Sequence, residues 1–159
     1  MKHPSYLHSD NPRVPAAKHP FVHCQSIQMR FNDLDMFGHV NNNVYLSYMD
    51  LAKINYFRSI NPYKDRPTKV DAVVVHIDTD FYSPSYFGDE LEVWTAVTCI
   101  SKRSFHLEQR VVNATTGETK CIGRTVMAGF DIETATSKPL DPMWVDAIEA
   151  YEGHALQCD

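Results

Sequence analysis

Alternation of hydrophobic and polar residues with a period of two predicts that much of the chain forms β-strands. In the segment AVVVHIDTDF, Val73, Val75 and Ile77 alternate with His76 and Asp78, which is typical of a strand with one buried face. The same reading predicts strands over residues 21–33, 72–81, 90–101, 104–113 and 119–132. Short connections, SKR and then ATTGE, predict that the last four strands form an antiparallel meander.

A long helix is predicted between the first and second strands. Residues 43–60 contain no proline or glycine, and their apolar side chains occupy nearly every side of a helix that starts near Asn42. A helix that is apolar all round is typical of a protein interior. A short helix is predicted over residues 141–151, because Pro142 suits a first helical turn. Strands and helices in this order indicate an α+β fold.

Composition and charge indicate a single globular domain preceded by an N-terminal arm. The chain has 159 residues, of which 43% are hydrophobic and 22% charged, as expected for one domain. Residues 1–20 hold four of the nine prolines, so we predict an arm there, either flexible or lying across a neighbouring subunit, and a domain over residues 21–159. The net charge of −5, with no block of Lys or Arg, argues against nucleic acid and an anionic membrane as partners.

The chain has four cysteines that lie far apart in the sequence, namely Cys24, Cys99, Cys121 and Cys158. Because none has a C-x-x-C spacing, we predict neither a disulfide framework nor a zinc site, but reduced thiols. The first twenty residues lack the apolar stretch of a signal peptide, so we expect a cytoplasmic protein. His76, Asp78 and Asp80 share one strand face, but polar alternation is typical of an exposed face, and we expect no metal there.

The connection between the first strand and the long helix carries the candidate chemistry. Asp33 and Asp35 end the strand, and the helix is predicted to begin seven residues after Asp35, near Asn42. The first turn of a helix offers unbonded backbone N–H groups and a partial positive charge, which stabilise a developing oxyanion. Gly38 allows the chain to turn back so that a carboxylate and the helix start face one pocket. Such a pair is the minimum apparatus for transferring an acyl group to water.

The same segment reads F-x-D-x-D-x-x-G-H-V-N-N-x-x-Y-x-x-Y and resembles the signature of hot-dog-fold acyl-CoA thioesterases of the 4-hydroxybenzoyl-CoA thioesterase type. The matching positions are Phe31, Asp33, Asp35, Gly38, His39, Val40, Asn41, Asn42, Tyr45 and Tyr48. Downstream, DFYSPSYFGDELEVWTAV and SKRSFHLEQRV also resemble family segments, so the likeness covers about residues 21–132. It implies a hot-dog fold, in which an antiparallel sheet wraps around one long central helix.

The resemblance implies roles for individual residues. Asp35 takes the position of the catalytic carboxylate, either as the nucleophile or as the general base toward water. The backbone N–H of Asn42 takes the position of the oxyanion donor, and Asp33 is expected to brace the turn. The expected substrate-binding and supporting positions are His39, Asn41, Tyr45, Asp50, Lys102 and Arg103.

Several of these positions have a simpler structural interpretation that the sequence leaves open. His39 either orients the catalytic loop or is only a hydrogen-bonded partner inside the turn. Tyr45 either contacts the acyl group or packs in the core. Lys102 and Arg103 either bind the phosphates of CoA or are the solvated charges of a turn.

The implied activity is the hydrolysis of an acyl-CoA thioester to a carboxylic acid and free CoA. CoA is part of the substrate, and the scheme includes no metal or redox cofactor. The resemblance also implies a homodimer with active sites at the subunit interface, and a tetramer built from two such dimers. Two alternatives remain open: a thioesterase that acts on acyl carrier protein, and a non-catalytic acyl-CoA-binding module.

Overall fold

A six-stranded antiparallel sheet is the main element of the computed structural model, which describes residues 7–159. The strands are β1 (His23–Ile27), β2 (Ala72–Phe81), β3 (Leu91–Ile100), β4 (Ser104–Asn113), β5 (Thr119–Asp131) and β6 (Thr136–Ser137). Their order in the sheet is β1-β3-β4-β5-β2, and β6 pairs with the end of β5. Two helices, α1 (Asn42–Ile60) and α2 (Pro142–Glu152), complete the fold, which confirms the α+β prediction.

The position of β2 differs from the predicted meander. β3, β4 and β5 are joined as expected, but β2 lies at the far edge of the sheet, where Ala72 faces Gly129 and Phe81 faces Cys121. The predicted buried face of β2 is also not buried within the single chain, where Val75 and Ile77 are 59% and 41% exposed. Alternation along a strand does not show which strand is its neighbour. The connection over residues 82–90 reaches up to about 30 Å, which is ample for crossing the roughly 14 Å of three strand spacings.

The long helix α1 packs one side against the sheet and leaves another side open. Its buried residues are Tyr45, Tyr48, Met49, Ala52, Lys53, Tyr56 and Phe57. Leu51 and Ile54, by contrast, are 46% and 54% exposed. The predicted burial on all sides is therefore wrong within a single chain, because the sheet and α2 cover only part of the helix surface.

The second helix closes the end of the molecule where α1 finishes. Asp141 caps it by accepting a hydrogen bond from the backbone N–H of Met143 (2.9 Å). Glu152, at its other end, is buried and accepts hydrogen bonds from the Tyr56 hydroxyl (2.7 Å) and the Val97 N–H (2.9 Å). Burial raises the pKa of Glu152 above its ordinary value. These bonds attach α2 to both the long helix and the sheet.

The first strand is shorter than predicted. β1 ends at Ile27, and Phe31–Asp33 form a 3-10 helix instead of continuing the strand. Phe31, within the predicted strand, is 77% exposed. A carboxylate oxygen of Asp33 accepts a hydrogen bond from the Arg30 N–H (2.9 Å), and such local side-chain bonds compete with strand pairing.

Residues 7–20 of the predicted arm contain no helix or strand and lie against the outer face of the sheet. Pro15 accepts a hydrogen bond from Arg110 Nη1 through its carbonyl oxygen (2.9 Å), and Arg13 donates one to the carbonyl of Tyr82 (2.9 Å). Val14 is buried. The remaining residues of the predicted arm, 1–6, lie outside the described residues.

A disulfide joins Cys99, near the end of β3, to Cys158. The prediction of no disulfide is wrong for this pair, because 59 residues of separation along the chain do not set the distance in space. The tail after α2 runs beside β3, where Cys158 donates its N–H to the carbonyl of Ile100 (3.1 Å). This pairing places the Cα atoms of the two cysteines 4.9 Å apart, within the usual range for a disulfide.

Candidate active site

Asp33 ties the loop after β1 to the long helix. It is 4% exposed, and its Oδ2 atom accepts hydrogen bonds from the Tyr48 hydroxyl (2.7 Å) and the Arg30 N–H (2.9 Å). Its backbone carbonyl accepts a third bond, from the N–H of Asn41 (2.9 Å). Burial, and after it the hydrogen bond to the Asp33 carboxylate, raises the pKa of Tyr48 above its ordinary value. The expected bracing role of Asp33 matches these contacts.

Asp35 begins a tight turn that returns the chain to the helix. Its N–H donates to the carbonyl of His39 (2.9 Å), and its own carbonyl accepts from the N–H of Gly38 (3.0 Å). Gly38 has a φ of 75°, a left-handed conformation that side chains rarely adopt. The Oδ1 atom of Asp35 accepts from the Phe37 N–H (2.9 Å). Within residues 7–159, Oδ2 is left without a protein partner, so it is available to a ligand or water.

The start of α1 supplies a backbone donor. Asn41 caps the helix, because its Oδ1 atom accepts from the N–H of Asn43 (3.0 Å) and its carbonyl accepts from the N–H of Val44 (2.9 Å). These bonds satisfy two of the orphan N–H groups of the first turn. The N–H of Asn42 donates to no other described residue, so the amide expected to stabilise an oxyanion is the uncommitted one. The side-chain oxygen of Asn41 is engaged in the cap.

A cavity of about 420 Å³ brings the turn and the helix start together. It is lined by Asp35, Phe37, His39, Val40, Asn42, Tyr45, Phe81, Tyr82, Ser83 and Pro84. Four of the eight predicted site residues, Asp35, His39, Asn42 and Tyr45, therefore share one cavity. A carboxylate, a helix N-terminus and aromatic walls suit an acyl group whose carbonyl develops negative charge.

Tyr45 and His39, which both line this cavity, are held by contacts with other side chains. The Tyr45 hydroxyl donates to Ser85 Oγ (2.8 Å), and burial raises the pKa of Tyr45, so it remains a neutral donor near pH 7. Its ring lies 5.6 Å from that of Phe81. The His39 ring packs edge-on against Tyr86 at 5.1 Å. Both side chains thus have a structural role in addition to lining the cavity.

Asp50 lies outside this cavity. It is on α1, eight residues after Asn42, which corresponds to about 12 Å along the helix axis. Its carboxylate pairs with the ammonium of Lys53 (2.9 Å), with the Asp50 side chain 62% exposed and that of Lys53 only 11%. In the single chain, Asp50 therefore pairs with a buried lysine of the same helix.

Lys102 and Arg103 form the turn between β3 and β4, at the opposite end of the sheet from Asp35. Arg103 Nη1 donates to Ser137 Oγ (3.1 Å), and Lys102 lines a separate cavity of about 510 Å³. The ten residues of β3 between the two ends span about 30 Å. Within one chain, these basic groups and Asp35 do not share a site.

The cavity wall formed by Phe81, Tyr82, Ser83 and Pro84 was not predicted from the sequence as part of the site. It comes from the end of β2 and the following loop, about forty residues after the helix start. Val40 donates its N–H to the carbonyl of Ser85 (2.9 Å), which fixes this loop against the turn. The sequence feature that could have indicated this wall is the proline-containing stretch DFYSPSYFGDE. This stretch contributed to the family resemblance, but no role was predicted for its individual residues.

A larger cavity of about 520 Å³ lies on the outer face of the sheet, away from Asp35. Its charged lining is largely paired: Arg124 Nη1 donates to Asp78 (2.9 Å) and to Asp80 (3.1 Å). The two carboxylates thus bind a cation of the protein itself. The expectation of no metal on this strand face stays a prediction.

Solved structures with the same architecture define the class of protein. A Thermus thermophilus thioesterase, in a structure described as complexed with coenzyme A and Zn, is 33% identical, with a TM-score of 0.76 over 86% of this chain and 98% of that one. A 1,4-dihydroxy-2-naphthoyl-CoA thioesterase from Synechocystis is 21% identical, with a TM-score of 0.70 over 79% of this chain and 94% of that one, which shows the fold alone. The predicted hot-dog fold is confirmed.

Residues 29–148 match the thioesterase-like superfamily, and the chain belongs to this family. A relative in Bacillus subtilis, the uncharacterized protein YsmA, is 28% identical over 84% of this chain and 88% of its own length. Family and structural neighbours together support a thioester hydrolase. The narrower 4-hydroxybenzoyl-CoA subtype is not confirmed. Among residues 7–159, no helix is both long and apolar enough to cross a membrane.

Proposed function

We propose that the protein hydrolyses acyl-CoA thioesters in the cavity beside Asp35. The observation that carries this proposal is the shared cavity of the Asp35 carboxylate and the N-terminus of α1. Coenzyme A is bound in the structure of the 33% identical Thermus thermophilus relative, which supports a CoA thioester as the substrate. Water and the thioester become a carboxylic acid and free CoA, whose thiol is a good leaving group.

Two residues carry the chemistry in this proposal. Asp35 either attacks the thioester carbonyl or removes a proton from the attacking water. The negative charge that develops on the carbonyl oxygen is stabilised by the N–H of Asn42, supported by the partial positive charge of the helix start. Asp33 holds the turn, and the fixed N–H···O bonds around Asp35 limit its motion. The scheme requires no metal or redox cofactor.

We further propose a homodimer that pairs through the edge of β2. Val74, Val75 and Ile77 on this strand are each at least 41% exposed, and an exposed apolar edge favours pairing with a second strand. The open side of α1, with Leu51 and Ile54, is also apolar and exposed. Phe81 belongs to β2 and to the cavity, so a partner there would lie beside the substrate.

Lys102 and Arg103 remain candidates for binding the phosphates of CoA. Because they are far from Asp35 in one chain, this contact requires a neighbouring protomer. A tetramer of two dimers, as the resemblance implies, would bring further subunits into reach. The cytoplasmic location likewise stays a prediction.

Substitution of Asp35 tests the proposed activity. We expect Asp35→Asn and Asp35→Ala to lower kcat for thiol release by at least about 100-fold, because general-base or nucleophilic help of this size is lost. The assay uses short, medium, long and aromatic acyl-CoAs. Asp65→Asn, in the exposed loop before β2, is the matched control and should keep wild-type rates.

The outcome also separates the alternatives. Wild-type kcat in Asp35→Asn on the best substrate would refute the proposed role of Asp35. Hydrolysis of acyl carrier protein thioesters, but not of the matched acyl-CoAs, would favour the carrier-protein enzyme. Tight binding of acyl-CoA with no hydrolysis of any substrate would favour a binding module.

A further inference from the structure

Three side chains that commonly bind metals converge at the end of the molecule that α2 closes. We call Cys99, His106 and Cys158 the Cys–His cluster. One ligand atom from each of them lies within 4.8 Å of the other two, and all three residues are half-buried. The cluster plays no part in the proposed hydrolysis.

Backbone pairing, not a flexible loop, brings these residues together. Cys99 and His106 are cross-strand partners on β3 and β4, so their side chains project from the same face of the sheet as neighbours. Cys158 comes from the tail, which pairs in parallel with β3 through Ile100 and Gln157. All three positions are therefore fixed before any ligand binds.

We propose that the Cys–His cluster is a redox-gated site for a thiophilic divalent cation such as Zn²⁺, closed by the disulfide and opened by its reduction. A dithiol reductant gives two electrons and two protons to the Cys99–Cys158 bond and becomes a disulfide itself. The two cysteines are then thiols. Binding of Zn²⁺ replaces their two protons, which are released to solvent.

The geometry suits zinc once the sulfur–sulfur bond is broken. Two thiolates and an imidazole are common zinc ligands, and Zn–S bonds of about 2.3 Å in a tetrahedron place the two sulfurs roughly 3.8 Å apart. The ligand atoms of the cluster already lie within 4.8 Å of one another, so small side-chain rotations suffice. Two thiolates also neutralise the double positive charge of the ion.

His106 gives the site access to solvent. It lines the outer-face cavity of about 520 Å³, together with Thr98 from the neighbouring strand. An ion can enter from this side, and a water molecule can occupy a fourth coordination position. The sequence argued against zinc because the cysteines are far apart along the chain, and the fold removes that argument for this pair.

The site is separate from the cavity beside Asp35. The loop that carries Asp35 follows Ile27, which pairs with Leu91 at the start of β3. Cys99 lies eight residues after Leu91 on the same strand, a distance of about 26 Å along β3. Metal binding and thioester hydrolysis can therefore be measured independently. Failure of either proposal leaves the other untouched.

Cobalt titration of the whole protein tests the site. Protein reduced with a dithiol and freed of it under anaerobic conditions is titrated with Co²⁺, whose thiolate charge-transfer absorption reports bound cysteine. We expect one Co²⁺ per chain, displaced by Zn²⁺, and none in the disulfide form. Cys158→Ser and His106→Ala should each weaken binding by more than about 100-fold, since even changes outside the ligand shell cost 10–100-fold.

A buried thiol provides the matched control. Burial raises the pKa of Cys121 to about 12, so this thiol stays protonated near pH 7, and Cys121→Ala should leave Co²⁺ binding unchanged. Circular dichroism checks the folding of each variant, and Cys99→Ser replaces Cys158→Ser if that variant does not fold. No thiolate absorption in the reduced protein would overturn the proposal. Equal binding by the disulfide form, or binding that survives Cys158→Ser or His106→Ala, would overturn it as well.

Discussion

The two ends of α1 lie in opposite surroundings. At its start, Asn42 faces an open polar cavity, and backbone hydrogen bonds hold the adjoining turn. At its other end, Tyr56 and Phe57 are buried among α2, β3 and the tail. Polar groups at this closed end are also satisfied within the protein, as the Tyr56–Glu152 hydrogen bond illustrates.

This difference places the buried packing at one end of the helix and the proposed chemistry at the other. Burial of large side chains stabilises the closed end, because each removes apolar surface from water. The open end keeps an N–H of Asn42 and a carboxylate oxygen of Asp35 without protein partners among the described residues, which leaves both available to a ligand. Substitutions at the two ends should therefore separate stability from activity.

The largest expected effect on stability is at the closed end. Trp144 is 4% exposed, and its ring lies 5.9 Å from that of Phe57. Trp144→Ala should lower the free energy of unfolding by about 3–5 kcal/mol, because it leaves a cavity in the core. Denaturant unfolding measures this change. Met143→Ala, at a half-exposed position on the same helix, should change stability by less than about 1 kcal/mol.

Loss of stability in Trp144→Ala should not be accompanied by a lower kcat of the protein that remains folded. A large fall in kcat at a temperature where the variant is fully folded would contradict the division between the two ends.

A pair of glycines sharpens the comparison at the open end. Gly38 and Gly117 have φ angles of 75° and 77°, and a Cβ at either position would meet no atom within 4 Å. Alanine at each should therefore cost a similar strain of about 1–2 kcal/mol. We expect Gly38→Ala alone to lower kcat, because it lies in the turn that positions Asp35. Equal kcat in the two variants, measured by thiol release, would argue against this positioning.

The smallest expected effect is a pH dependence at the closed end. His23 is buried against the rings of Tyr56 and Tyr151, its Nδ1 atom has no partner among the described residues, and burial lowers its pKa. The unfolded chain therefore binds the proton more tightly, so His23 reduces stability as the pH falls below about 6.5. Glu152 changes stability in the opposite direction, because a carboxyl with a raised pKa in the folded state favours folding as the pH falls.

His23→Phe isolates this contribution. When the pH is lowered from about 7.5 to about 5.5, the Tm of wild type should fall relative to the Tm of the variant. Thermal melts at these two values measure it. A constant difference would show that His23 does not titrate differently in the folded and unfolded states.

Local pattern was sufficient to predict most elements of the fold. β2 and β4 have the predicted bounds, and α1 begins at Asn42, where the asparagines allow a cap. The pattern failed where tertiary contacts decide the outcome. The place of β2 at the far edge and the Cys99–Cys158 bond both depend on contacts between distant parts of the chain. The local periodicity of the sequence does not predict such contacts.

The part of the candidate site that lies in one continuous segment of the chain was predictable from the sequence. Asp35, His39, Asn42 and Tyr45 lie within eleven residues, and the turn and helix start bring them to one cavity. The wall from Tyr82 to Pro84 was missed because it joins the site only through the crossing of the sheet.

The cavity beside Asp35 is built from two separate stretches of the chain, and neither stretch alone forms it. A fragment that ends in the loop before β2 contains the carboxylate and the helix start but lacks the wall from Phe81 to Pro84. The complementary fragment contains the wall but neither Asp35 nor Asn42. Cleavage between α1 and β2 would therefore separate the proposed catalytic groups from the wall of their cavity, and only reassociation of the two halves would restore a complete cavity.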